Sequence, residues 1–130
     1  MFSNILVPIA DDHDPNSGRA VELAQALSND GATVTALTVV EAASGQQSGQ
    51  MQDRMDEVEA ALKADLGGVR GVRPVVVSGH SARTILEYAE EHGVDLIIMP
   101  SHRPGLTDYF LGSTAARVVR HANCAVHVIR

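Results

Sequence analysis

The sequence predicts a doubly wound α/β sandwich in which five parallel strands alternate with four amphipathic helices. Three observations carry that prediction. Short runs of Val, Ile and Leu recur without polar interruption, as strands buried on both faces require. Between them lie stretches with apolar residues at i, i+3, i+4 and i+7, the spacing of a helix with one buried face. The regular alternation of the two patterns demands right-handed crossovers and a parallel sheet covered on both sides, a three-layer arrangement.

Each element has its own signal. Asn4 to Ile9 (NILVPI) is the first strand. Ser17 can cap a helix carrying Ala20, Leu23, Ala24 and Leu27, with Asn29, Asp30 and Gly31 as its stop. Thr33 to Val40 (TVTALTVV) is β-branched and strand-like. Ala42 to Gln50 is small and polar and reads as a loop. A second helix runs from about Met51 to Leu66, with Met51, Met55, Val58 and Leu62 on one face. Gly67, Gly68 and Gly71 end it before the strand Pro74 to Ser78. Ser81 caps a third helix with Ala82, Ile85, Leu86 and Ala89, closed by His92 and Gly93. Asp95 to Pro100 (DLIIMP) is the fourth strand. Ser113 or Thr114 opens a last helix with Ala115, Val118, Val119 and Ala122 inward, and Cys124 to Ile129 is the last strand.

Composition narrows the function classes. A chain of 130 residues makes one domain, 1–130, with no linker, repeat or low-complexity tract. Apolar residues at 45% and charged residues at 20% are those of a folded domain, so disorder is excluded. Ten Lys and Arg against sixteen Asp and Glu leave a net charge of −6, which argues against nucleic acid and anionic membranes as partners. One cysteine, Cys124, excludes an internal disulfide. The absence of a long apolar run or a leader-like segment points to a cytoplasmic protein.

In this fold class ligands sit beyond the carboxyl ends of the strands, where strand order reverses. The richest such segment is Pro100 to Thr114 (PSHRPGLTDYFLGST). It carries His102 and Arg103, and Gly112, Ser113 and Thr114 open a helix whose free N–H groups and positive dipole end suit an anion. An ordinary loop with a hydroxyl cap is the simpler reading of the same residues. After the first strand, Asp11, Asp12, His13 and Asp14 offer acceptors for Mg²⁺, an adenine amino group or a ribose hydroxyl, or form an acidic turn in water. The six histidines are scattered, with no pair at metal-ligand spacing on one helix face, so no metal site is expected.

Several chemistries lack their residues. The only lysine is Lys63, so no phosphate-binding loop of the G-x4-G-K-[ST] type exists. There is no G-x-G-x-x-G after the first strand and no G-x-S-x-G elbow. Cys124 begins a strand in apolar company, as a structural thiol does. A phospho-accepting receiver domain needs an aspartate ending its third strand and a lysine after its last, where this chain has Ser78-Gly79-His80 and Arg130. No catalytic residue is assigned.

Over nearly its full length the sequence resembles the universal stress protein family. The resemblance rests on Asn4 to Ile9, on Gly79 with Ile85 and Leu86 before Asp95 to Met99, and on Gly112-Ser113 followed by Ala116 to Ala122 (ARVVRHA) and Cys124 to Val126. Ser101 to Pro104 (SHRP) with Tyr109 to Ser113 (YFLGS) is similar to the F/G-type bacterial members. The resemblance implies a Rossmann-like sheet of the adenine nucleotide alpha hydrolase type, with strand order 3-2-1-4-5. It implies a small stress-response module that dimerises and holds ATP, AMP or ADP, with or without Mg²⁺.

Carried onto this chain, the family's site places adenine near Pro8, Ile9, Ala10 and Val39, with Asp11 taking over an aspartate contact that would fall on Ala10. Met99 and Pro100 border the ribose, Ser101, His102 and Arg103 flank the phosphates, and Gly112, Ser113 and Thr114 receive them. The family pattern G-x2-G-x9-G-[ST] is altered here: the stretch is one residue shorter, and Pro100 and Arg103 stand where the first two glycines fall. Val126 and Val128 resemble the family's dimer strand, so a homodimer is expected. Binding and signalling are expected over turnover, with at most slow hydrolysis or autophosphorylation on Ser113 or Thr114. The alternatives are a nucleotide-free dimeric interaction module and an adenylating α-hydrolase. The latter usually has a Ser-Gly-Gly-x-Asp-Ser run after the first strand, absent from Ala10 to Asp14. A guanidinium at Arg103 supplies a charge-assisted contact that glycine lacks. Arg103→Ala is therefore expected to weaken adenine-nucleotide binding at least several-fold by calorimetric titration, and an unchanged affinity removes Arg103 from the site.

Overall fold

The computed structural model describes residues 1–10, 16–42, 45, 47–67, 69–101 and 111–130. Nine elements follow in order: β1 (Phe2–Pro8), α1 (Asn16–Ala26), β2 (Ser28–Val40), α2 (Ser48–Asp65), β3 (Val72–Ser78), α3 (Ser81–Glu91), β4 (Leu96–Pro100), α4 (Ser113–His121) and β5 (Ala125–Ile129). The strands form one sheet in the order β3-β2-β1-β4-β5, with every neighbouring pair parallel. Both the layering and the strand order are those expected.

The uninterrupted apolar runs have a direct structural cause. Four consecutive residues of β1, Ile5 to Pro8, are buried, because helices cover both faces of the sheet. Alternate side chains serve opposite cores. Ile5 and Val7 join Val34, Leu96 and Ile98 beneath Ala20, Val21 and Ala24 of α1. Leu6, Leu37, Ile97 and Met99 pack beneath Ile85 and Ala89 of α3 and Ala115 and Val118 of α4. Alanines on these helix faces let the helices sit close to the sheet, so a chain with four aromatic residues still closes its core.

The amino end of the sheet is pinned by polar groups. The Asp95 carboxylate accepts the main-chain N–H groups of Ser3 (2.8 Å) and Asn4 (3.0 Å). The Asn4 amide donates to the His92 carbonyl at 2.6 Å, and the Asp95 N–H donates to the Asn4 carbonyl at 2.9 Å. Gly93 takes φ +65°, and Val94 N–H returns to Ala89 C=O at 2.9 Å, so α3 closes in a left-handed cap just ahead of β4.

Several boundaries differ from expectation. Ser17 lies inside α1, which starts at Asn16, so it is not the residue before the helix. Asn29, Asp30 and Gly31 do not separate α1 from β2. They belong to β2, where register jumps from Phe2↔Ser28 to Asn4↔Thr33 and Gly31 takes φ +77°. Turn-type residues here make an irregularity within a strand. Ser48 to Gln50 belong to α2 rather than to the loop, and β3 starts two residues before Pro74. His80, not Ser81, is the residue preceding α3. Val119 is 46% exposed instead of inward, because Ala115, Val118 and Ala122 already fill the buried stripe. Cys124 precedes β5 rather than opening it.

Gly79 follows β3 at φ +152°, and a Cβ there would run into the Thr84 hydroxyl. Gly79→Ala is expected to cost about 1–3 kcal/mol in urea unfolding through backbone strain and that collision. Adding Thr84→Ala should recover only the collision part, and an unchanged midpoint for the single variant would refute the reading.

Candidate functional site

Because every strand runs the same way, the carboxyl ends lie along one edge of the sheet and the loops leaving them share it. From β1 the chain proceeds outward through β2 to β3, then crosses to β4 and β5 on the other side. Order therefore reverses between β1 and β4, and the connections from these neighbours depart to opposite faces, leaving a crevice.

On the β4 side, Ser101 organises the crevice. Its N–H donates to the Ile129 carbonyl at 2.8 Å, continuing the sheet past Pro100. Its carbonyl accepts the Gly112 N–H at 2.6 Å, and the Gly112 carbonyl accepts the Ala116 N–H at 2.8 Å. The start of α4 is thus tied to the end of β4. Ser101 is 4% exposed, and its hydroxyl has no hydrogen-bond partner among the described residues. Gly112 precedes α4 with φ −58° and ψ 154°, angles open to any residue, so what the glycine contributes is the lack of a side chain. No side chain among the described residues caps α4, and the first-turn N–H groups of Ser113, Thr114 and Ala115 stay open at its positive end.

The starts of α2 and α3 each carry a side-chain acceptor. The Glu41 carboxylate reaches from the end of β2 to accept the Ser81 N–H of α3 at 2.9 Å, while Arg54 holds the Glu41 carbonyl at 3.3 Å. At α2, the Gln50 side chain accepts the Gln47 N–H at 3.1 Å. Sequence reasoning places Glu41 among the residues that follow a strand but gives it no role. Its position after β2 is visible in the sequence, but its partner forty residues on is not.

On the β1 side, Pro8, Ile9 and Ala10 come beside Leu37 to Val39 of β2. Pro8 pairs with Leu37, and Ile9 N–H donates to Leu37 C=O at 2.8 Å. The Val40 carbonyl faces the other way, accepting Gly79 N–H at 3.1 Å. Peptide groups alternate sides along a strand, so Val39 turns its N–H and C=O toward β1, one step beyond the end of the ladder. The structure thus gathers Pro8, Ile9, Ala10 and Val39 on one side of the crevice. On the other it gathers Pro100, Ser101, Gly112, Ser113 and Thr114. Met99 points into the core between sheet and α4. Asp11, His102 and Arg103 lie outside the described residues, as do Asp12, His13 and Asp14.

Among the described residues the site carries neither a cysteine nor a lysine. Burial pushes the Cys124 thiol above its usual range, and the Asp95 charge adds to the effect, so the group stays protonated. Lys63 is engaged with Glu59 at 3.0 Å on the α2 surface. Among the described residues no group of three or more His, Cys, Asp or Glu is placed to hold a metal, and no helix is long and apolar enough to cross a membrane.

A family model described as the universal stress protein family matches residues 1–130. Universal stress protein G of Shigella flexneri is 46% identical over 44 residues, 34% of this chain and only 31% of that protein, about a third of its length. Universal stress protein A homolog 2 of Coxiella burnetii is 34% identical over an alignment covering 99% of this chain and 95% of the relative. Among solved structures, universal stress protein UspA from Lactobacillus plantarum superposes with a TM-score of 0.75 at 28% identity, covering 99% of this chain and 98% of the other. A universal stress protein in complex with cAMP (TM-score 0.66, 20% identity, 99% and 97% covered) shares the fold. So does one from Archaeoglobus fulgidus in complex with dAMP (TM-score 0.65, 14% identity, 99% and 98% covered). The full-length family match, joined to a sheet of order β3-β2-β1-β4-β5, places this chain in the universal stress protein family.

Proposed function

We propose that this protein is a cytoplasmic, single-domain regulatory module that binds an adenine nucleotide across the β1–β4 crevice and works as a homodimer. The observation that carries the reading is the start of α4, uncapped by any side chain among the described residues and fastened to the end of β4 through Ser101, while at α3 the Glu41 carboxylate takes the Ser81 N–H. Three first-turn N–H groups and a helix dipole suit a phosphate, and the absence of a side chain at Gly112 lets it approach the main chain. Across the crevice, the Val39 N–H and C=O present a donor and an acceptor to the edge of an adenine ring, and Ile9 and Ala10 give it an apolar bed. The buried Ser101 hydroxyl gains a partner when phosphate or ribose oxygens arrive. That two members of the family were solved with cAMP and dAMP supports an adenine nucleotide as the ligand.

Turnover is not what this site favours. Lysine-based phosphoryl transfer of the phosphate-binding-loop kind has no lysine here, because the chain's one lysine lies on α2. Hydrolysis, or autophosphorylation on Ser113 or Thr114, is accordingly slow at most, and the bound nucleotide acts as a signal. For assembly, β5 is the outer strand of the sheet beside β4, and Val126 and Val128 remain partly exposed on it. An edge of this kind pairs readily with a second copy.

Thermal unfolding with millimolar Mg-ATP tests the reading, with AMP and GTP alongside. For micromolar affinity, about a thousand-fold excess stabilises by roughly 4 kcal/mol, a rise of several degrees expected with adenine nucleotides alone. Gly112→Asp supplies the missing cap, so it should leave the fold as stable or a few tenths of a kcal/mol more so, yet abolish the nucleotide-induced rise by placing a carboxylate where phosphate binds. No rise in protein free of bound nucleotide, or a full rise in Gly112→Asp, would overturn the site.

A further inference from the structure

Strand β5 is the outer strand beside β4, and its main chain restricts how a second copy can pair with it. The Ile129 carbonyl accepts the Ser101 N–H at 2.8 Å, so the peptide groups of Ile129 turn toward β4 and its continuation. That direction alternates along a strand, so Ala125 and His127 turn the same way as Ile129. Val126 and Val128 therefore aim their N–H and C=O groups outward, away from β4. A partner strand bonds to such an edge only in registers that set its own outward residues opposite these.

Side chains alternate as well. Ile129 is buried in the core beneath α1, whereas Val126 packs against the core beneath α3 and α4. His127 shares the α1 face with Ile129 and is exposed there, beside Arg19, Glu22 and Leu23 of α1. His127 is also the middle residue of Ala125–Ile129. Among antiparallel registers that match outward groups, the one centred on His127 pairs every residue of the strand. Centring on Val126 or Val128 leaves strand residues unpaired.

We infer that two copies of this chain pair antiparallel through β5 with His127 opposite His127, and that protonation of this pair loosens the dimer. The inference rests on the homodimer reading above and adds its register and its control. Val126 exchanges both main-chain bonds with the partner's Val128, and the valines meet across the seam on the α4 face. His127 then occupies the central pair, which carries no main-chain bonds. In such a pair the Cα atoms stand about 4.5 Å apart and the side chains are closest. Histidine gains its charge as pH falls from about 8 to about 5. Neutral rings pack against each other there, but two imidazolium ions directly opposite repel. The lone copy consequently takes up this proton more readily than the pair does. By linkage, affinity between copies is full at the upper end of that range and falls as pH falls through it. Arg19, Glu22 and Arg130, the charged described residues lining this surface, stand beside His127 in the lone copy and in the pair alike. Their effect on pairing therefore largely cancels.

Two measurements on the full chain test register and control separately. With Cys124→Ser as background, His127→Cys should form a disulfide between copies on air oxidation, because the central pair meets the Cα spacing of about 4.4–6.8 Å that a disulfide needs. Ala125→Cys, on the same face but opposite the partner's Ile129, should not. Sedimentation equilibrium at about pH 7.5 and about pH 5.5 reads the control, and the dimer dissociation constant is expected to rise at least about threefold on acidification. His127→Gln should remove that rise, and His127→Lys, charged throughout, should weaken the dimer at both pH values. A wild-type monomer at the higher pH removes the homodimer reading and this inference with it. A wild-type dimer equally tight at both pH values, acid weakening that persists in His127→Gln, or a dimer in which His127→Cys does not cross-link overturns the inference alone.

Discussion

Strand β1 is buried on both faces and hydrogen-bonded along both edges, and that double constraint fixes where the rest of the molecule can go. With Ile5 and Val7 turned to one core and Leu6 to the other, the strand needs a helical layer on each side. With β2 on one edge and β4 on the other, the chain has to leave β1 in one direction and return past it in the other. The reversal of strand order is a consequence of burying that one run of residues. So is the crevice at its carboxyl end.

The two ends of the central strands are then treated differently. At the amino end, Asp95, Asn4 and the left-handed cap at Gly93 satisfy one another's polar groups, and the main-chain donors of Ser3 and Asn4 are used up. At the carboxyl end, Ser101 spends its main-chain groups on Ile129 and Gly112, while its hydroxyl, the Val39 peptide and the first turn of α4 have no further hydrogen-bond partner among the described residues. A closed polar network anchors one edge of the sheet, and an open one faces the crevice. Buried or half-buried polar groups with capacity to spare are what a polar ligand binds through.

How much of this was legible in the sequence depends on how local each cause is. The strands were readable because burial on both faces leaves an unbroken apolar run, as in Ile5 to Pro8. Gly112-Ser113 stood out because a glycine and a hydroxyl residue at a helix start act within one turn. Causes that reach across the fold were not readable. Nothing near Asn29 to Gly31 tells that these residues make a register irregularity against Phe2 rather than a stop, because the partner strand decides it. The Ser81 N–H is held by Glu41 from another strand end. Val119 follows the apolar pattern of α4 but lies off the stripe that α3 and the sheet cover.

The nucleotide reading assigns distinct contacts to distinct main-chain groups, and amide NMR reads those groups one by one. Titrating ADP into nucleotide-free, ¹⁵N-labelled protein is the most direct measurement. Saturable shifts are predicted to be largest at the Ser113, Thr114 and Ala115 amides on one side of the crevice and at Ile9 and Val39 on the other. Ser3, Asn4 and Asp95, at the opposite edge of the sheet, should stay still. Shifts confined to other surfaces, or a spectrum that ADP leaves unchanged, would contradict the assignment of the β1–β4 crevice as a nucleotide site.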